Sequence, residues 1–190
     1  MIAMSKIDVY QNCPIIEIER FILRLVKESD AEELLECYSN TKSQRFFNAD
    51  YCTNDFCYTS LDEMQECIRF WLECYKTRGF VRFAIIDRIQ NKAVGTMEMF
   101  CGKSWLNGLD GGCLRLDILP EYETENHIFK LVNMANTNFF ELFGAEFIVI
   151  KAIPEATERI TALKRAGYTP FVTDEEHRKH YYGLARKRAK

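Results

Sequence analysis

The fold of this chain is decided by residues 111–152, GGCLRLDILPEYETENHIFKLVNMANTNFFELFGAEFIVIKA. Residues 112–119 predict a strand that Pro120 stops, because proline lacks the N–H group that a strand ladder needs. Apolar residues then recur at helical spacing over residues 125–143, and Gly144 follows as a C-cap. Residues 147–152 form a second apolar run of strand length. Because a helix crosses between them, the two strands are predicted to be parallel neighbours in one sheet.

The remaining elements follow from the same two periodicities. Capping boxes, SDAE at 29–32 and SLDE at 60–63, predict the starts of two helices. Further strands are predicted at 15–26, 80–87, 93–100, 168–172 and 180–185, further helices at 29–38, 60–78 and 154–167, and turns at 90–92 and at Asn107-Gly108. No repeat or linker divides the chain, so we predict one domain.

Length and composition describe a globular protein. The chain has 190 residues and 22.3 kDa, with 47% hydrophobic and 28% charged residues, which is enough to bury a sizeable core. The formal charge of -3 gives no basic field for a polyanion, so nucleic acid is excluded as the main partner. No apolar run approaches the ~20 residues that span a bilayer, and Lys6 and Asp8 interrupt any secretory signal. We therefore predict no membrane partner and a cytoplasmic location.

The eight cysteines and three histidines form no metal motif. There is no Cys-x-x-Cys pair, so the cysteines are predicted to be free thiols in a reducing compartment. His177 and His180 form a His-x-x-His pair without a further placed ligand, and the segment 50–55 lacks the glycine and closing glutamate of a calcium loop. We predict no metal site.

Several short sequence segments, together with this order of elements, match those of a known protein family: LRLV at 23–26 before ESDA at 28–31, VGT at 94–96 and KRAGY at 164–168. Together they resemble the GNAT superfamily of N-acyltransferases, most closely its ribosomal-protein and antibiotic acetyltransferase branch. The resemblance implies an α/β (α+β) fold with a mixed, mostly antiparallel sheet flanked by helices, in which the parallel strand pair splays apart. The chain, 1–190, is then a single GNAT-like domain, with its core at about 21–186 and a basic C-terminal end at 186–190.

In that family acetyl-CoA lies between the two splayed strands, so the resemblance implies a co-substrate site here. Ile118 and Leu119, at the end of the first strand, would border the pantetheine. The amides at the start of the next helix would hold the pyrophosphate, and here they belong to Glu123, Thr124, Glu125, Asn126, His127 and Ile128.

This loop departs from the family pattern of a glutamine or arginine, two residues, a glycine, one residue, and a glycine or alanine. Glu123 replaces the basic or amide residue, and Asn126 and Ile128 replace the small residues. Glu123 and Glu125 would repel a pyrophosphate, and the β-branched Ile128 would crowd it. These changes predict that CoA binding is weak or lost.

A second family site lies early in the helix after Pro154-Glu155, where the family usually has an asparagine and a serine. Here these residues are Ala156 and Arg159. Against these losses, backbone amides together with Asn126, His127 and Lys130 could still hold a phosphate. Both outcomes for CoA therefore stay open at this point.

Acyl transfer to an amine needs a base that deprotonates the ammonium and an acid for the leaving thiolate. Strand alternation places Thr96 and Glu98 on one face of their strand, and Arg115 and Asp117 on one face of the next. Glu98 is the first candidate for the base and Asp117 the second. The alternative is that Glu98 forms an ordinary surface ion pair with Arg115.

These residues support two functions of different kinds. The first is an acyl-CoA-dependent N-acetyltransferase acting on a small amine or a protein N-terminus, with the loop 46–59 covering the acceptor. The second is a catalytically inactive GNAT-fold binding or regulatory module that has lost CoA. For the enzyme, the predicted partner is a small-molecule or peptide amine acceptor. The sequence leaves open whether the protein forms a homodimer. The basic end is predicted to be a solvated tail, with an acidic partner as the alternative.

Overall fold

The computed structural model describes residues 8–50, 52, 56–102, 110–172 and 179–187. The strands are β1 Ile16–Glu17, β2 Phe21–Leu25, β3 Val81–Asp87, β4 Lys92–Gly102, β5 Gly111–Ile118, β6 Phe147–Lys151, β7 Thr169–Phe171 and β8 Tyr181–Ala185. The helices are α1 Ala31–Tyr38, α2 Thr41–Gln44, α3 Leu61–Lys76, α4 Glu125–Phe143 and α5 Thr157–Arg165. The predicted turn at Asn107-Gly108, and His177 of the His-x-x-His pair, lie outside the described residues.

The described strands form one mixed sheet in the order β1-β2-β3-β4-β5-β6-β8-β7. Neighbouring strands are antiparallel except β5 and β6, which are parallel as predicted. Their register runs from Gly111 beside Phe147 to Leu114 beside Ile150. β5 then continues to Ile118 beside β4, with no further partner on the β6 side among the described strands. The two strands therefore part after Leu114, which confirms the predicted splay.

The sheet has one apolar face and one face that carries a polar cluster. α4 covers the apolar face, where Phe83 stacks on Phe139 with ring centroids 5.1 Å apart. α3 covers the other face, where the Arg82 guanidinium carbon lies 4.3 Å from the centroid of the Trp71 ring. Because alternate residues of a strand point to opposite faces, Arg82 and its neighbour Phe83 are directed to different layers.

Local signals predicted the start of α3 and the end of α4, but α2 was not predicted, α5 begins at Thr157 rather than at 154, and the cap predicted for α1 differs. Ser60 accepts a hydrogen bond from the Glu63 N–H, and the Glu63 carboxylate accepts one from the Ser60 N–H, which confirms the second capping box. Gly144 ends α4 in the left-handed conformation, with φ of 65°. The first capping box is wrong, because the Asp30 carboxylate accepts from the Lys27 N–H instead and a short 3-10 turn precedes α1.

No helix in the described part of the chain is long and apolar enough to cross a membrane. The same residues contain no group of three or more His, Cys, Asp or Glu side chains that could hold a metal ion. All eight cysteines are free thiols.

Candidate active site

A cavity of about 750 Å³ opens between the polar cluster of the sheet and α3. Its floor is formed by Arg82, Glu98 and Arg115, which come from three neighbouring strands. Its walls carry the aromatic side chains Phe56, Tyr58, Phe70, Trp71, Phe80 and Phe100. Apolar walls around a few polar groups are the usual composition of a small-molecule site.

Strand register brings the polar residues of the floor together. Glu98 lies between Arg82 on β3 and Arg115 on β5, and Thr96 lies opposite Asp117. The shared face predicted for Thr96, Glu98, Arg115 and Asp117 is therefore confirmed, and Arg82 joins it. The face is not an exposed surface, because none of the five is more than 7% exposed. Packing of α1 and α3 over the sheet produces this burial.

Asp117 is the centre of a buried hydrogen-bond network. Its Oδ2 accepts from the Tyr38 hydroxyl at 2.8 Å and from Arg82 Nη1 at 3.1 Å. Its Oδ1 accepts from Arg115 Nε at 3.0 Å. Thr96 Oγ1 joins the network, 2.7 Å from the Tyr38 hydroxyl. Both Asp117 oxygens are thus engaged, which suits a residue that holds two arginines in place.

Only one of the two Glu98 carboxylate oxygens is hydrogen-bonded within the described residues. Glu98 Oε2 accepts from Arg82 Nη2, whereas Oε1 has no hydrogen-bond partner among the described residues. The alternative of a surface ion pair with Arg115 is wrong, because the guanidinium bound to Glu98 is that of Arg82 and both side chains are buried. A carboxylate with a free oxygen at a cavity floor is placed to accept a proton.

The charges of this cluster keep its arginines protonated and its tyrosine neutral. Burial disfavours a charged guanidinium, but the charges of Glu98 and Asp117 raise the pKa of Arg82 above its ordinary value. Burial also disfavours a charged Arg115, but Asp117, together with Tyr38 and Glu98, raises its pKa above the ordinary value. Burial, helped by the Asp117 charge, raises the pKa of Tyr38 far above its ordinary value. The Tyr38 hydroxyl therefore remains a hydrogen-bond donor at neutral pH.

Sequence reasoning missed Arg82 and Tyr38. Arg82 stands alone in the otherwise apolar start of β3, and a charged residue in a buried strand signals a paired partner. Tyr38 ends α1, and no local pattern connects it with Asp117, which lies 79 residues further along the chain.

A second groove, of about 420 Å³, lies at the end of β5 where β6 has parted from it. Ile118 lines the groove, and so do the exposed cations Lys42 and Arg45. Of the two residues predicted to border pantetheine, Ile118 does line a groove. The Leu119 N–H instead donates to the Val94 carbonyl oxygen at 3.0 Å.

Glu123, predicted to repel a pyrophosphate, is neutralised by a partner from α5. Its carboxylate accepts two hydrogen bonds from Arg159, one of them from Nη2 at 2.9 Å. Arg159 is 2% exposed, and its Nη1 also donates to the Phe46 carbonyl oxygen at 3.1 Å. Two of the departures from the family pattern, Glu123 and Arg159, are therefore partners of each other.

Side chains of the protein itself accept hydrogen bonds from the N–H groups in the first turn of α4. Thr124 Oγ1 accepts from the His127 N–H at 3.4 Å. Glu158 of α5 accepts, through Oε2, the Glu125 N–H at 2.7 Å. The Glu125 carboxylate pairs with Arg165 Nη1 at 3.3 Å. One amide of the predicted pyrophosphate set is thus already bound to a carboxylate.

The other three residues of this set lie in different surroundings. Ile128 is fully buried in the core, so the predicted crowding of a ligand by its side chain is wrong. Asn126 is exposed. The His127 ring packs against Phe21 and Tyr122, with centroids 5.8 Å and 5.3 Å away. Burial and neighbouring cations lower the pKa of His127 from 6.5, so it supplies no positive charge at neutral pH.

Comparison with known proteins agrees with this geometry. A family model described as Acetyltransferase (GNAT) domain matches residues 20–169. The chain belongs to the GNAT acetyltransferase family. This GNAT protein is 26% identical over 149 residues to "Uncharacterized N-acetyltransferase YoaA" from Bacillus subtilis (strain 168), which covers 77% of this chain and 79% of that protein.

Solved structures share the GNAT fold at low identity. Ribosomal-protein-S5-alanine acetyltransferase from Vibrio fischeri aligns with a TM-score of 0.70 at 15% identity, covering 91% of this chain and 97% of the other. Spermidine N-acetyltransferase from Vibrio cholerae, solved in complex with CoA and spermine, aligns with a TM-score of 0.67 at 15% identity, covering 89% and 97%. The predicted fold class is confirmed.

The residues of this GNAT domain fit a CoA co-substrate in two places and obstruct it in one. β5 has no strand beside residues 115–118 on the β6 side in the described part of the chain, which leaves backbone groups for an extended ligand. Lys42 and Arg45 offer cations to phosphates at the same groove. The obstruction is the Glu158 carboxylate on the Glu125 N–H. A pyrophosphate at this helix start would have to displace Glu158 from the Glu125 N–H, and the Glu123, Thr124 and Ile128 N–H groups already donate to backbone carbonyl oxygens.

Proposed function

We propose that this GNAT protein is an acyl-CoA-dependent N-acetyltransferase whose acceptor amine binds in the cavity of about 750 Å³, with Glu98 as the general base. The observation that carries the proposal is that Oε1 of Glu98, at the floor of this cavity, has no hydrogen-bond partner within the described ranges of the chain. Family membership supplies the reaction class, and the free end of β5 supplies a place for the co-substrate.

Glu98 is responsible for the proton transfer. Acetyl-CoA, when bound, supplies the thioester that the amine attacks, so that the C–N bond forms, the C–S bond breaks and the thiolate leaves with the second proton of the amine. A primary amine is protonated at neutral pH, so Oε1 of Glu98 accepts its proton before the attack. Arg82 holds the other oxygen and thereby fixes the orientation of the carboxylate. Asp117 serves as a positioning residue for Arg82 rather than as the second base predicted from the sequence.

A small-molecule or peptide amine suits the size and lining of the cavity. Phe56 and Tyr58, from the loop predicted to cover the acceptor, form part of its wall. In the co-substrate site we assign the phosphates to the groove with Lys42 and Arg45, because these cations are exposed there. The homodimer and the cytoplasmic location stay predictions.

Glu98→Gln tests the proposal, with Glu66→Gln as a matched control, because Glu66 is an exposed carboxylate on the wall of the same cavity. Release of the CoA thiol is measured with acetyl-CoA and 2-phenylethylamine, spermidine or a short peptide. We expect Glu98→Gln to lower kcat ~100-fold or more. The control should change it less than about 3-fold. An unchanged kcat in a Glu98→Gln variant with an intact thermal transition would refute this role.

A second candidate function is the GNAT-fold module that has lost CoA. The bond from the Glu125 N–H to Glu158 favours it, because an internal carboxylate is bound where an anionic ligand would be. Calorimetric titration with CoA decides between the two. Saturable binding supports the enzyme, and its absence at millimolar CoA supports the module.

A further inference from the structure

We propose that the acceptor carries a carbonyl or carboxylate oxygen beside its amine, as amino acids and peptide N-termini do, and that Arg115 binds this oxygen. The inference rests on the proposed function, because it assigns the acceptor of the same cavity. It makes Arg115 the residue that selects among amines.

Arg115 has a hydrogen-bond donor left over. Its Nε donates to Asp117, and its Nη1 reaches only the Cys52 thiol, at 3.6 Å. Its Nη2 is buried and has no hydrogen-bond partner among the described residues. The residue is 4% exposed and lines the cavity. A buried guanidinium N–H without an acceptor is unfavourable, and a thiol is a weak acceptor. An oxygen ligand would correct both deficiencies.

Arg82, beneath the same cavity, shows the same deficiency. Its Nε is buried and also lacks a partner in the described part of the chain. Counting only partners that the structure describes, the floor therefore has two unsatisfied guanidinium donors, Arg82 Nε and Arg115 Nη2, next to a Glu98 oxygen without a donor. This combination matches a ligand that has both an ammonium group and an oxygen acceptor.

The spacing of these groups matches an amine with an oxygen close by. Glu98 and Arg115 lie directly opposite each other on neighbouring strands. The Cβ atoms of such pairs are about 5 Å apart. When the acceptor amine meets Glu98, the atoms next to that amine lie near Arg115. An oxygen there gains a charge-assisted hydrogen bond, whereas the second ammonium of a polyamine is repelled by the guanidinium.

The walls of the cavity describe the rest of the acceptor. Trp71, Phe80 and Phe100 line it, and Phe70 presents a large apolar side chain that is 62% exposed. Exposed aromatic surface beside a cavity favours an apolar ligand group. The Arg115 guanidinium carbon lies 3.7 Å from the centroid of the Phe56 ring, so an acceptor reaches Nη2 by displacing Phe56 or Cys52. The expected acceptor thus has an aromatic or large aliphatic side chain.

Three acceptors with one shared skeleton test this inference: L-phenylalanine, L-phenylalaninamide and 2-phenylethylamine. They differ only in the group beside the amine, which is a carboxylate, an amide or hydrogen. With the wild-type protein and acetyl-CoA, we expect kcat/KM for at least one carbonyl compound to exceed that for 2-phenylethylamine by ~10-fold or more. Preference for the carboxylate indicates a free amino acid, and preference for the amide indicates a peptide terminus.

Arg115→Lys keeps a positive charge beside Asp117 but has a single nitrogen, so we expect the preference to shrink to within about 3-fold. A variant that keeps the wild-type preference would overturn the role of Arg115. Equal kcat/KM for all three acceptors in the wild-type protein would overturn the inference and leave the proposed function standing. If none is acetylated, calorimetric binding to the wild-type protein decides, and tighter binding of a carbonyl compound supports the inference even though the proposed function fails. The comparison of the three acceptors uses only the wild-type protein, so it tests the inference even when Arg115→Lys does not fold.

Discussion

Replacing Glu158 with Gln should tighten CoA binding while lowering the stability of the free protein. Glu158 Oε2 accepts the Glu125 N–H at 2.7 Å, at the end of a helix that attracts anions. A CoA phosphate that approaches the same helix end meets this carboxylate first. The variant removes the negative charge and leaves the rest of the groove unchanged.

The size of the effect follows from the distance and the exposure of Glu158. Two unit charges about 4 Å apart repel by ~1 kcal/mol in water and by ~4 kcal/mol near a protein surface. Because Glu158 is exposed, the lower part of this range applies, and ~1 to 2 kcal/mol corresponds to roughly 5- to 30-fold tighter binding. Loss of the charged cap costs about 0.3 to 1 kcal/mol of stability. The melting temperature should then fall by roughly 1 to 4 °C.

Isothermal titration with CoA measures the effect directly, and Glu155→Gln is the matched control. Glu155 is another exposed carboxylate of the same groove, and the described residues show no hydrogen bond between it and α4. Its loss should therefore change CoA affinity less than the loss of Glu158. Added salt should shrink the difference between wild type and Glu158→Gln, since screening weakens the repulsion. CoA affinity that is unchanged or weaker in Glu158→Gln would refute this reasoning.

Two further predictions concern stability. Asp117→Asn leaves Arg82 and Arg115 buried with one carboxylate between them, so chemical denaturation should show a loss of about 3 to 5 kcal/mol, and the melting temperature should fall by roughly 6 to 20 °C. Folding lowers the pKa of His127 from 6.5, so the unfolded chain binds the proton more tightly than the folded chain does. Urea titrations should therefore show full stability above pH 6.5 and a falling free energy of unfolding as the pH drops below 6.5. His127→Phe should make this fall smaller.

Local pattern was sufficient to predict the order of elements around the co-substrate region. The apolar runs and the helix between them predicted parallel strands that part, and β5 and β6 do so after Leu114. Period-2 alternation also predicted that Glu98 and Arg115 share a face. These properties depend on residues close together in the sequence, and each period corresponds to one backbone geometry.

Only the tertiary structure decided which charges are paired. The sequence by itself offered Arg115 as the ion-pair partner of Glu98 in the alternative to its role as a base, and it named no partner for Glu123. In the folded chain Glu98 binds Arg82, and Glu123 binds Arg159, 36 residues away. Partner choice and burial depend on how α1, α3 and α5 pack against the sheet, and that packing is determined by contacts between distant segments. Periodicity within a segment gives the direction of a side chain, but it contains no information about which distant group lies there.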